Sequence, residues 1–321
     1  MFQGGTEGYH TYRIPSLLRM DSGVLLVFAE GRGQLADHGR NDIVLKRSRD
    51  NGTTWSKLQL VYSESTKTKQ VTIGNPAPIA VRSQPGRIVL LACRENKAVI
   101  QLTSNDDGQT FSPKVEVSNA LYAHESWVAT GPATGIELTS GRLLVAADHY
   151  DPQHGSHAML SDDGAKTWRL SEPIDGGDSG GGNECQAAQL PNGTLVMNMR
   201  TLLGWRQFSW SHSNGSRWTA PVRSPSFPQI YGGGTTEGST IALESGSLAF
   251  STPLGPAGRA NMTVFGSADG GMTWSLIHVV DPGPAAYSSL ASEPGGGWAI
   301  AYESGTTDPI NYDTIRFARR P

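Results

Sequence analysis

Ser48-Arg49-Asp50-Asn51-Gly52-Thr53-Thr54-Trp55 and Ser267-Ala268-Asp269-Gly270-Gly271-Met272-Thr273-Trp274 are two full copies of one pattern, S-x-D-x-G-x-T-W. Three weaker copies lie between them. Ser104-Asn105-Asp106-Asp107-Gly108-Gln109-Thr110-Phe111 ends in Phe, and Ser161-Asp162-Asp163-Gly164-Ala165-Lys166-Thr167-Trp168 carries Ala165 where the glycine belongs. Ser211-His212-Ser213-Asn214-Gly215-Ser216-Arg217-Trp218 has lost both Asp and Thr. The pattern reads as a hairpin turn: Asp or Asn bonds nearby backbone, Gly takes a positive φ, and the aromatic pins the turn to a sheet. Metal or sugar binding is the functional alternative. The decayed copies keep the aromatic and lose the ligand-type atoms, so the turns are read as structural staples.

Each of these turns follows a second repeat, a glycine leading into an apolar strand. It occurs at Gly23 (GVLLVFAEGR), Gly86 (GRIVLLACR), Gly141 (GRLLVAADH), Gly193 (GTLVMNMR), Gly246 (GSLAFST) and Gly297 (GWAIAYE), in steps of 63, 55, 52, 53 and 51 residues. Runs that are apolar at successive positions suit strands covered on both faces. A period near 50 residues points to solenoids or propellers. Six copies fill the chain, so the expected fold is all-β, a six-bladed β-propeller whose two chain ends share a blade. No linker or shift of composition divides it, and residues 1–321 read as a single domain.

Composition agrees. Glycine supplies 39 of 321 residues, about 12% against a usual 7% or so, and it sits at turn positions beside Asn, Asp and Ser. With Lys+Arg 26 against Asp+Glu 29, the net charge of −3 provides no basic field for nucleic acid or anionic lipid. No apolar run approaches the roughly 20 residues that span a bilayer, and the first residues lack the basic and apolar regions of a signal peptide. The chain therefore reads as soluble, with no compartment assigned. Cys93 and Cys185 allow one bridge or two free thiols. No HExxH, Cys/His cluster or EF-hand loop occurs, and no cofactor is implied.

A propeller repeats its scaffold, so polar residues that do not repeat are informative. Seven residues past each strand glycine stand Glu30, Cys93, Asp148, Arg200, Pro253 and Ser304, with Glu303 one place earlier. In a propeller these strand ends converge on the central channel, where ligands bind.

These residues also carry a resemblance. Tyr12-Arg13-Ile14-Pro15, Phe28-Ala29-Glu30-Gly31-Arg32, the five Asp-box turns, Asn183-Glu184-Cys185-Gln186 and Asn198-Met199-Arg200 occur in this order. Arg259-Ala260-Asn261-Met262-Thr263, Pro284-Ala285-Ala286-Tyr287-Ser288-Ser289-Leu290 and Ala301-Tyr302-Glu303 complete the series. Together they resemble the exo-α-sialidase (neuraminidase) family over essentially the whole chain, in wording nearest the lysosomal-type animal and bacterial members.

The resemblance implies a role for each matched residue. Arg13, Arg200 and Arg259 would hold the substrate carboxylate by bidentate, charge-assisted hydrogen bonds. Glu303 would orient Arg13. Tyr287 would be the nucleophile and Glu184 its base, because an anionic nucleophile approaching the anomeric carbon would meet the substrate's own carboxylate and a neutral phenol would not. Asp37, in Leu35-Ala36-Asp37-His38-Gly39, would protonate the leaving oxygen. Asp42 is the rival acid, but it opens the Ile43-Val44-Leu45 strand and reads as structural; His38 receives no role.

Arg32 would reach the C4 side of the sugar, and Asn75-Pro76-Ala77-Pro78 matches the segment beside the N-acetyl pocket. Gly74 stands where some animal members carry a bulky apolar residue, which leaves the acyl preference open. Trp127 fits either that pocket or a blade core. The implied partners are sialylated glycans, glycoproteins or glycolipids. A trans-sialidase or an enzyme preferring the deaminated acid KDN would use the same residues. A non-catalytic binding propeller would keep the arginines and lose Asp37, Glu184 or Tyr287, all of which are present.

Overall fold

Each apolar run that follows a strand glycine becomes the second strand of an antiparallel array, covered on both faces. The computed structural model describes residues 1–117, 127–150, 154–174, 182–201, 203–227, 236–255, 258–305 and 312–320. The described residues form strands and no helix. The first sheet joins β1 (Thr11–Arg19), β2 (Leu25–Arg32), β3 (Asn41–Ser48) and β4 (Gln59–Tyr62) in chain order. The second joins β5 (Ile73–Ala80), β6 (Ile88–Arg94), β7 (Ala98–Ser104) and β8 (Val115–Glu116). In the third, β9 (Trp127–Thr130) and β10 (Ile136–Glu137) both pair with β11 (Leu143–Tyr150), followed by β12 (His154–Ser161) and β13 (Arg169–Leu170). The fourth holds β14 (Cys185–Gln189), β15 (Leu195–Met199), β16 (Gln207–Ser211) and β17 (Val222–Arg223).

The fifth sheet has six strands: β18 (Ser239–Ala242), β19 (Leu248–Gly255), β20 (Gly258–Ser267), β21 (Ser275–Ser292), β22 (Trp298–Ser304) and β23 (Thr314–Arg320). This differs from the six separate sheets that the spacing suggests. The reason is β21, a continuous run that pairs with β20 from Ser275 to Pro284 and then with β22 from Ala285 to Ser292. Among the described residues, hydrogen bonding therefore counts five sheets in a β-propeller arrangement.

The S-x-D-x-G-x-T-W turns link the third strand of an array to the fourth. Their chemistry is uniform: Gly52, Gly108, Ala165, Gly215 and Gly271 donate their N–H to the opening serine Oγ at 2.8–3.0 Å. Asp50, Asp106, Asp163 and Asp269 each accept the backbone N–H of the threonine four residues on, at 2.9 Å. In the decayed fourth copy Ser213 Oγ takes over, accepting Arg217 N at 2.9 Å. Glycine is needed for space as well as for φ. A Cβ on Gly52 would lie 2.1 Å from Phe317 of β23, so this turn is pressed onto the neighbouring array. Ala165 keeps the left-handed φ of 71° despite its methyl group, which costs about 1 kcal/mol.

Side chains between successive arrays make the core. Leu26, Phe28 and Leu45 meet Ile73, Ile88 and Leu90; further round, Leu144 and Leu160 meet Leu195 and Met197. The ends of the chain close the circle. Phe2, fully buried, exchanges backbone hydrogen bonds with Ile315 at 3.1 and 3.0 Å and packs among Tyr12, Ala299 and Ala301. Inner strands are also tied to one another around the axis. Ser16 Oγ donates to Pro76 O, Gly135 N to Pro78 O, and Gln186 Nε2 to Thr134 O. The circuit continues from Thr240 N to Gln186 Oε1, from Leu290 N to Ser239 Oγ and from Leu17 N to Ser289 Oγ.

Candidate active site

Three innermost strands leave regular pairing just where they reach one end of the channel. Register shifts fall between Arg13 and Ser16 in β1, between Gly74 and Ala77 in β5, and between Ala285 and Ser288 in β21. A bulge re-aims the side chains around it, and here the bulges carry Arg13, Asn75 and Tyr287. Ile14 has φ 57°, a strained value for a β-branched residue, and Asn75 has φ 54°. Buried carboxylates secure both positions. Glu303, fully buried, accepts Arg13 Nε and Ile14 N at 2.7 Å and Tyr287 N at 3.1 Å. One carboxylate thus fixes both the first arginine and the backbone of the tyrosine. Removing either partner of such a buried pair costs about 3–5 kcal/mol.

Glu30 does the same work beside Asn75. Its carboxylate pairs with Arg32 Nε and Nη2 at 2.7 and 2.6 Å and accepts Asn75 N at 2.8 Å. A Cβ on Gly74 would lie 2.5 Å from Glu30 Oε1, so the small residue at 74 is dictated by Glu30. Arg32 Nη1 reaches across to Asp37 Oδ1 at 2.8 Å. Asp37 itself stands on the open 33–40 loop with its side chain 78% exposed. Desolvation at the cleft wall pulls its carboxyl upward. The Arg32 guanidinium, aided by Arg13 and His38, outweighs this and holds it below the ordinary range.

The centre of the cleft is a phenol. Tyr287 donates its O–H to Glu184 Oε1, and Arg200 Nη1 donates to the same phenol oxygen at 3.0 Å and to Glu184 Oε2 at 2.6 Å. The Arg13 and Arg259 guanidinium carbons lie 5.3 and 5.5 Å from the Tyr287 ring centroid. Three guanidiniums from three sheets therefore surround one phenol. Burial and then the Glu184 charge push the phenol above its usual range, against Arg200 and Arg259. It is held protonated beside a carboxylate able to accept its proton. Arg259 lies at the start of β20, where Tyr312 Oη donates to its carbonyl at 3.0 Å.

All nine residues singled out from the sequence are accounted for. Arg13, Arg32, Asp37, Asn75, Glu184, Arg200, Arg259 and Tyr287 line one cleft of about 270 Å³, and Glu303 lies behind it. Asp42 does not line it. Fully buried, Asp42 accepts Tyr9 Oη at 2.9 Å and Arg40 Nε at 3.2 Å, which is a structural role. Glu30, His38, Asn96, Asp148 and Asn183 also line the cleft and were given no individual role from sequence. Glu30 and Asp148 were visible as strand-end carboxyls; Asn96 and Asn183 carried no distinguishing signal. Trp127 is a cleft residue, set edge-on to His38 at 6.2 Å between centroids. Cys93 and Cys185 are free, buried thiols.

The chain is similar to known proteins over most of its length. The BNR repeat-like domain model matches residues 23–300. A sialidase of Micromonospora viridifaciens is 26% identical over 94% of this chain and 51% of its own length. Among solved structures, a Hadza microbial sialidase, Hz136, superposes with a TM-score of 0.84 at 25% identity, covering 99% of this chain and 67% of that one. An intramolecular trans-sialidase from Ruminococcus gnavus shares the fold, with a TM-score of 0.83 at 17% identity over 99% of this chain and 96% of that one. The chain spans about half the length of the Micromonospora relative. The match over most of its residues settles its kinship: the chain belongs to the BNR repeat-like domain family.

Proposed function

We propose that this domain is a retaining exo-α-sialidase that removes terminal sialic acid from glycans, glycoproteins or glycolipids through a tyrosyl-enzyme intermediate. The observation that carries the reading is the Arg200–Tyr287–Glu184 cluster. A buried phenol donates to a carboxylate, and guanidiniums surround it. Arg13, Arg200 and Arg259 bind the substrate carboxylate, which sets the anomeric carbon over Tyr287. Glu184 takes the phenol proton as the oxygen attacks. Asp37 gives its proton to the departing oxygen and then draws one from the incoming water. Arg32 and Asn75 face the C4 and C5 side of the ring, and Glu303 holds Arg13 in place.

We also infer that the six-stranded sheet counts as two blades, making six in all. Ala249, Met262 and Val264 pack against Leu290, Trp298, Ile300 and Tyr302 as a core cluster, as two faces of a single flat sheet cannot. The inner-strand hydrogen bonds give further support, passing through six stations before returning to β1. The activity is tested with fluorogenic α-sialosides and the corresponding KDN glycoside, with and without a galactoside acceptor. Release of the fluorophore with free sugar as product is expected. Release with all the sugar passed to the acceptor would make the enzyme a transferase, and no release from folded protein would overturn the reading.

A further inference from the structure

Asp148 has no part in the reaction just described, yet it is one of the most unusual groups in the cleft. It ends the apolar part of β11, is 1% exposed, and lines the cleft together with Asn75, Asn96 and Glu184. Its Oδ2 accepts Asn183 Nδ2 at 3.2 Å. Its Oδ1 is buried with no hydrogen-bond partner, while the Trp127 indole lies close enough to favour the charged carboxylate. A buried polar atom without a partner is costly and calls for an explanation. A ligand that supplies the missing partner is one.

The protonation state follows from the surroundings. Burial and then the Glu184 charge push the Asp148 carboxyl well above the ordinary range, and Arg200 opposes them. The other titratable neighbours, Cys93 and Cys185, are buried thiols raised by their own desolvation and bring no positive charge. Burial and the Glu184 charge thus favour the protonated form of the Asp148 carboxyl, against Arg200 and the Trp127 indole. With Oδ2 engaged as an acceptor, Oδ1 is left to carry the hydrogen and to offer it to the cleft.

The order of the sheets identifies what would meet it. This step rests on the sialidase reading, which places Arg32 at C4 of the sugar and Asn75 beside C5. The next wall round the axis, formed by β9 and β11, then faces the outer end of the C5 substituent. We propose that Asp148 is a specificity residue that hydrogen-bonds a hydroxyl on the C5 side of the sugar. It would favour acids with a hydroxyl there, on the ring carbon itself or at the end of an N-acyl group, over the N-acetyl form. A methyl group placed against Oδ1 leaves the carboxyl unpaired, and that mismatch discriminates by about tenfold to a hundredfold.

The test compares kcat/KM on the methylumbelliferyl glycosides of the N-acetyl, N-glycolyl and deaminated (C5-hydroxyl) acids. Wild type is expected to prefer at least one hydroxylated substrate over the N-acetyl one by tenfold or more, and the two hydroxylated arms distinguish a ring hydroxyl from an acyl one. Asp148→Leu should collapse that ratio at least tenfold. Asp148→Asn, which keeps one acceptor and one donor, should preserve it. Thermal melting of each variant separates lost folding from lost recognition. A wild-type ratio near one, an equal loss on all three substrates, or an Asn variant that behaves like Leu would overturn the assignment while leaving the sialidase reading intact. No turnover of any substrate by folded wild type would overturn both.

Discussion

Two acidic residues in this cleft sit in opposite environments. Glu184 and its partner Tyr287 are buried among guanidiniums, whereas Asp37 stands on an exposed loop with one arginine contact. That contrast suits their proposed tasks, since the nucleophile needs a dry, oriented pair and the acid must meet both leaving group and water. Arg32 holds the Asp37 carboxyl below its ordinary range, against desolvation. Bound substrate adds a carboxylate and displaces water, and both changes raise Asp37. The high-pH limb of kcat should therefore lie above that of kcat/KM, because the first reports the complex and the second the free enzyme. Asp37→Ala should lose far more activity on sialyllactose than on an aryl sialoside, whose phenolate leaves without a proton. Equal losses on both substrates, with no burst of glycosyl-enzyme, would remove Asp37 from the acid's role.

At the scale of the element, the two sequence repeats have separable duties. The turns are bound into the scaffold at the outer strands, and the strand ends and bulges carry the chemistry. Asp269 accepts hydrogen bonds from Ser267, Met272 and Thr273. Asp269→Ala should lower stability by about 1–3 kcal/mol and the melting temperature by roughly 2–4 °C, with kcat/KM unchanged. Those bonds, the Thr273 hydroxyl foremost, hold the carboxyl at about 2 instead of 3.8. A depressed pKa contributes stability that is complete above pH 4 and is lost as the pH falls towards 2. The melting difference between variant and wild type should therefore narrow in acid. Lost activity at unchanged melting would mean the turn is functional and not a staple.

At the scale of the whole molecule, the strands and the propeller were legible because six glycine-led runs and five turns repeat at a nearly constant step. The count of sheets was not, since Ser275–Ser292 runs on from one array into the next straight through Asp281-Pro282-Gly283-Pro284, a stretch that reads as a break in the strand. In the site, Arg13 and Tyr287 were legible through motif wording, although the bulges that aim them depend on long-range contacts to Glu303. Asp148 was visible as a strand-end acid, but its unpaired oxygen emerges only in the folded cleft. Closure of the ring is testable through Phe2, whose ring is buried between the two ends of the chain. Phe2→Ala should cost about 3–5 kcal/mol and lower the melting temperature by roughly 4–8 °C, with loss of activity following unfolding. Unchanged melting would show that the N-terminal segment does not hold the circle shut.

The claim that Tyr287 forms a covalent bond to the sugar is tested most directly by trapping it. A sialosyl fluoride carrying a second fluorine at C3 has a leaving group that needs no acid, while the C3 fluorine slows the breakdown of the intermediate. Mass spectrometry of the digested enzyme should find one fluorosialyl unit on the peptide holding Tyr287, and none in Tyr287→Phe. The same label found on Glu184 or Asp37 would contradict the account.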